Sequence, residues 1–149
     1  MANLGLVDAI VFGPVVADGA YKHMGKRDAA VWHRWLAIHA AHWQGVAYDV
    51  AVGGHLPSEE PAEGEFVKMW QYQTALKIDA LIVREDRVMV VEVRPWATVS
   101  ALGACLCYTI VLERAGLTKT PLYPAIVCEG IQTDVKWCAD QLHVQVFEV

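Results

Sequence analysis

Lys77-Ile78-Asp79-Ala80-Leu81-Ile82-Val83, then Arg84 to Arg87, then Val88-Met89-Val90-Val91-Glu92-Val93-Arg94, is the stretch on which the fold turns. Two Val/Ile/Leu-rich runs flank a short charged link, the pattern of a β-hairpin pivoting on Glu85-Asp86. Opposed residues are equidistant from that pivot, so Asp79 is expected to face Glu92 and Lys77 to face Arg94. Side chains on one strand face recur every second residue, and opposed Cβ atoms lie about 5 Å apart. All four charges are therefore expected on one sheet face. A charge inside an apolar strand needs a partner or a task, and two close carboxylates call for a divalent metal, a shared proton or a cation.

The pattern extends in both directions from the hairpin. Upstream, Trp32, Trp35, Leu36, His39 and Trp43 recur at helical spacing, predicting a helix from Lys26 or Arg27 to Trp43. Val46, Tyr48, Val50 and Val52 alternate with smaller or polar residues, predicting a strand ended by Gly53-Gly54. Residues 53–65 carry Glu59, Glu60, Glu63 and Glu65 among Gly and Pro and read as an acidic loop, and Phe66 to Tyr72 reads as a further strand. Downstream, Pro95 is expected to end the second hairpin strand, and Ser100 to cap a helix running to about Arg114, stopped by Gly116. Leu122 to Cys128 reads as a strand, Gln132 to Gln141 as a helix and His143 to Val149 as a closing strand. This order predicts an α/β (α+β) fold with a mixed sheet of about five strands covered by helices. Residues 27–149 are expected to form one domain, preceded by an arm, residues 1–26, rich in Gly and apolar residues. Two readings of the arm stand: a loosely packed terminus, or a segment lying along another subunit or partner.

Composition narrows the function. The chain is 55% hydrophobic and 19% charged, with six Trp and a formal net charge of −5. So few charges leave apolar surface for a partner to cover, so a homo-oligomer or larger protein assembly is expected. The broad basic footprint of a nucleic-acid binder is missing, although a local patch could suffice. Cys105, Cys107, Cys128 and Cys138 form no CxxC motif, and the first residues lack the layout of a signal peptide, so reduced, buried thiols in an intracellular or virion setting are expected. No apolar run has the length of a membrane span.

Asp79 and Glu92, the latter followed after one residue by Arg94, resemble the acidic pair of the PD-(D/E)XK superfamily, the restriction-endonuclease-like fold. The resemblance covers residues 27–149: a first helix, a central hairpin with the acidic pair, a helix and a strand beyond it. Residues 101–108 also look like the helix of RecB-type members that presents a Gln and a Tyr to the site. The resemblance implies Asp79 and Glu92 as Mg²⁺ ligands, Arg94 at the Lys position and Tyr108 as the helix residue, with Ala104 at the Gln position. An Arg at the Lys position can bind phosphate but is a poor proton acceptor, and Ala104 has no side-chain hydrogen bond to offer.

Two functional readings follow. In the first, Arg94 and Lys77 neutralise Asp79 and Glu92 in a four-charge box that needs no metal, and the protein is a non-catalytic structural or interaction module of that fold, in a setting such as a phage virion. In the second, it is a Mg²⁺-dependent DNA endonuclease with Asp79 and Glu92 as ligands and Arg94 on the phosphate. Other candidates are weaker. His39 and His42 share a helix face but have no third ligand nearby in sequence, and Cys105 and Cys107 read as small core residues. Asp49 could add a third carboxylate, Ser58 and Ser100 have no His at a catalytic spacing, and Glu113 and Arg114 read as solvated. Trp96, following Arg94-Pro95, is placed to stack on a base or a neighbouring chain.

Overall fold

The computed structural model describes residues 10–17, 19, 21, 23–54, 64–116 and 120–149. Helix α1 (Lys26–His39) continues into a single 3-10 turn and is followed by β1 (Gly45–Val52), α2 (Glu65–Thr74), β2 (Leu76–Arg84), β3 (Arg87–Ala97), α3 (Val99–Arg114), β4 (Leu122–Ile131), α4 (Thr133–Gln141) and β5 (Gln145–Glu148). The five strands form one mixed sheet in chain order. The first three are antiparallel neighbours, and β3, β4 and β5 run parallel. Parallel neighbours need a crossover connection, which α3 and α4 supply. The expected α/β sheet of about five strands is therefore present.

The hairpin pivots where the sequence places it, with Ala80 opposite Val91 and Arg84 opposite Arg87. Alternation along β3 divides the core into two layers. Met89, Val91 and Val93 pack with Val31, Trp32, Trp35 and Leu36 of α1, whereas Val88 and Val90 pack on the other face with Leu112 of α3. Both indoles of α1 are fully buried. Each removes on the order of 200 Å² from water, about 5 kcal/mol before entropy is counted. Trp32 Nε1 donates to the Tyr48 hydroxyl at 2.8 Å, so that donor keeps a partner.

At one point the alternation breaks in two strands at once. Residues two apart on a regular strand share a face, yet Ile78 packs with the α3 layer and Ala80 with the α1 layer. In β1, Tyr48 and Val50 divide in the same way. The residues between, Asp49 and Asp79, lie opposite each other, and the β1–β2 pairing runs from Tyr48–Ala80 to Val50–Ile78 without them. Asp49 is left-handed at φ 50°, a conformation that Asp tolerates better than most residues. This switch of face positions the candidate site.

Several boundaries differ from the sequence expectation. Phe66 to Tyr72 lies in helix α2, not in a strand; Phe66, Met69 and Trp70 recur at helical spacing but are exposed, so no buried stripe marked the helix. Strand β3 runs through Pro95 to Ala97. The Val93 N–H points toward β2, so Pro95, of the same parity, turns its missing N–H to the side where pairing with β2 stops at Val91. Thr98, rather than Ser100, is the residue before α3, while Gly116 ends that helix in the left-handed region as expected. Within the arm, Gly13 pairs with Val46 through two backbone hydrogen bonds of 2.8 and 3.0 Å, so this part of the arm runs along the outer edge of β1. Residues 1–9 of the arm, and 55–63 of the acidic loop, fall outside the described residues. Among the described residues, no helix is long and apolar enough to cross a membrane.

Candidate functional site

Because both ladders let go of Asp79, its carboxylate is free to act as a side-chain acceptor inside the sheet. Oδ2 accepts the Val93 N–H at 2.8 Å and Arg94 Nη1 at 3.3 Å. The same Nη1 donates to the Val93 carbonyl at 2.7 Å, and Nη2 is ion-paired with Glu92 Oε1. One guanidinium thus gathers three oxygens, from two carboxyls and one main-chain carbonyl. A planar fork of five N–H donors suits that task as an ammonium does not.

Glu92 lies on the α3 face of β3 and its residue is 0% exposed. Burial, and then the charge of Asp79, push its carboxyl up to about 8, against the pull of Arg94. Asp79 is raised as well, chiefly by burial, with the Val93 N–H and Arg94 opposing. Neither Glu92 oxygen has a hydrogen-bond donor of good geometry among the described residues. The ionised form is therefore poorly satisfied, while a protonated Glu92 can donate to Asp79. The arrangement is a triad in which two carboxyls, both raised by burial, are placed to share a proton beside the Arg94 guanidinium.

On the α3 side the triad meets Tyr108 and Cys105. Tyr108 lies within electrostatic reach of the pair, and its hydroxyl is pushed up to about 12 by burial, then by Glu92 and Asp79. The Cys105 thiol, buried beside Glu92, is also pushed up to about 12, chiefly by burial. Asp28, in the first turn of α1, adds a negative charge that raises both carboxyls. Nothing in the sequence spacing ties residue 28 to residues 79 and 92; only the packing of α1 brings it there.

Lys77 is not part of the cluster. The switch of face at Asp79 turns Lys77 away from Glu92 and Arg94, and its Nζ sits 4.6 Å from the centre of the Tyr72 ring on α2. Tyr72 in turn donates to Asp49 Oδ2 at 2.8 Å, and His23 Nε2 lies 3.4 Å from the same oxygen. Asp49 is thereby engaged with α2 and the arm instead of adding a third carboxylate. The four-charge box becomes a triad plus a separate Asp49–Tyr72–Lys77 cluster.

The remaining candidates are dispersed. His39 stacks on Trp35 at 4.7 Å and meets Phe147 edge-on, and burial and His42 lower its pKa. Of the thiols, all free, Cys105 and Cys128 are buried, but Cys107 is exposed, because residues two apart on a helix point in diverging directions. Ser100, Glu113 and Arg114 are exposed, and Ser58 lies outside the described residues. Trp96 is 60% exposed and packs over Gly130, where an added Cβ would lie 2.4 Å from the ring. Among the described residues, no group of three or more His, Cys, Asp or Glu is placed to hold a metal ion. The guanidinium holds one oxygen of each carboxyl, Asp79 Oδ2 and Glu92 Oε1, so its positive charge stands where a divalent ion bridging the pair would sit. No family model, curated protein or solved structure matches the chain.

Proposed function

We propose that this protein is a non-catalytic member of the PD-(D/E)XK fold that serves as an assembly or interaction module. The observation that carries the reading is the placement of the Arg94 guanidinium on Asp79, Glu92 and the Val93 carbonyl together. A cation built into the chain takes the role that a bound ion would have, and a Glu92 carboxyl protonated near neutrality is a poor ligand for a hard metal. The element order around the triad, helix, strand, helix, antiparallel hairpin, helix and parallel strand, supports the fold assignment. Exposed Phe66, Met69 and Trp70 on α2, with Trp96 and Trp137 elsewhere, support a surface made for contact with other protein.

The test is a DNA-nicking assay on purified protein with Mg²⁺ and with Mn²⁺, run beside Glu92→Ala. No nicking by the wild-type protein is expected in either metal. Metal-dependent nicking that disappears in Glu92→Ala would overturn the proposal in favour of a nuclease using Asp79 and Glu92.

A further inference from the structure

We propose that Asp49 is the clasp of a strap: its carboxylate ties the arm and helix α2 to the sheet through one oxygen, so that loosening either element loosens the other. The coupling lies within one chain and stands apart from the assembly reading.

The arm has the course of a strap around the outer edge of β1. Ile10 and Phe12 pack with the α3 layer, whereas Val15 and Tyr21 pack with the α1 layer. Gly13, between them, is bonded to Val46 in both directions. Tyr21 settles on the α1 side, its ring 5.7 Å from that of Tyr48 and its hydroxyl 3.0 Å from His33 Nδ1. His23, left-handed at φ 61°, then brings Nε2 to 3.4 Å from Asp49 Oδ2.

Helix α2 arrives at the same oxygen from the other side in sequence. The Tyr72 hydroxyl donates to Asp49 Oδ2 at 2.8 Å, and Lys77 Nζ lies 4.6 Å from the centre of the Tyr72 ring. The ring is thus held at its hydroxyl by β1 and at its face by β2. Elsewhere α2 buries Val67 but leaves Phe66, Met69 and Trp70 exposed, so the Tyr72 anchor carries much of its attachment.

The conformation of Asp49 makes the two attachments interdependent. Its side chain is 9% exposed and its backbone is left-handed at φ 50° in the middle of a strand. Such a conformation is strained for an L-residue and persists only where the surroundings hold it. Ladder pairs on either side, Tyr48–Ala80 and Val50–Ile78, are in the same register, so an extended Asp49 would fit between them without shifting either strand. The residue therefore has two defined states. In the left-handed one Oδ2 meets both partners; in the extended one its carboxylate leaves them. Each partner favours the first state, and removing one lowers the population that the other requires.

Hydrogen exchange on the full chain tests this with His23→Gln, which alters only the arm, and Tyr72→Phe, which alters only α2. Tyr72→Phe is expected to speed exchange at the Gly13 and Val46 amides several-fold, and His23→Gln to speed exchange along α2 by a similar factor. The double variant should lose less protection than the two single losses multiplied. Asp49→Gly, which accepts the left-handed backbone without strain, should loosen both elements because the oxygen is gone. Unchanged β3 and β4 amides in every variant certify the fold. Single variants that loosen only their own element, or an Asp49→Gly protein that protects both, overturn the proposal.

Discussion

The hairpin β2–β3 carries a charge cluster at each end, and the two behave in opposite ways. At the tip, the exposed Asp86 is held by Arg84 Nε at 2.7 Å and by Arg87 Nη2 at 3.1 Å. Those guanidiniums lie over the rings of Trp43 and Tyr123, at 5.2 and 5.0 Å, and Arg84 chiefly holds the Asp86 carboxyl below its ordinary range. At the base, Asp79 and Glu92 share one guanidinium, and burial drives both carboxyls upward. The tip sets two guanidiniums on one carboxylate, and the base sets one guanidinium on two carboxyls. At the exposed tip little desolvation opposes the two arginines, whereas at the base desolvation, with a second carboxyl alongside, outweighs the nearby cation.

Breaking the buried cluster gives the largest expected effect. Arg94→Met leaves two carboxyls beside each other without a cation, and is expected to lower stability by about 2 kcal/mol, less than for a fully buried pair because the Arg94 side chain is 40% exposed. Urea unfolding measures it, and a loss no larger than that of a surface substitution would mean that the guanidinium is not what holds the pair.

Next comes the pH dependence. The folded state holds the proton of Glu92 up to about 8, against an ordinary value of 4.5. Between those values the native state binds more protons than the unfolded one, so stability falls as pH rises, by at most about 1.4 kcal/mol per pH unit for one group. Asp79, also raised, acts in the same direction. Urea midpoints across this range are expected to decline for the wild-type protein and to lose most of that slope in Glu92→Gln. An unchanged slope would place the titration elsewhere.

Smaller effects should lie farther from the triad. Gly130→Ala sets a Cβ into the Trp96 ring, which must swing toward solvent because it is largely exposed. A shift in tryptophan fluorescence with a stability loss under about 1 kcal/mol is expected; unaltered fluorescence would show that the ring does not rest there. At the tip, Asp86→Asn is expected to leave thermal stability unchanged within error, since exposed ion pairs contribute little. A clear drop in melting temperature would make the two ends of the hairpin more alike than burial allows.

Much of the hairpin was legible because a charged link between two apolar runs admits one short register. Its continuation was not. Extending strict alternation through Asp79 put Lys77 beside Glu92, but β1 and β2 change face together at Asp49 and Asp79, and Lys77 went to Tyr72 instead. Helix α2 was misread although Phe66, Met69 and Trp70 recur at helical spacing, because its ten residues also hold strand formers; those three side chains face outward while Val67 is buried. Asp28 was invisible for a different reason: it reaches the site through the packing of α1, which brings residues distant in sequence together.

By itself the sequence determined the hairpin register and the mixed sheet with flanking helices, because these follow from local periodicity. Only the tertiary structure decided which charges belong together, that burial pushes the Glu92 carboxyl up to about 8, and that the guanidinium takes the Val93 carbonyl as well as both carboxyls. Those outcomes depend on strand twist and on exclusion of water, properties of packed layers rather than of any short stretch of chain.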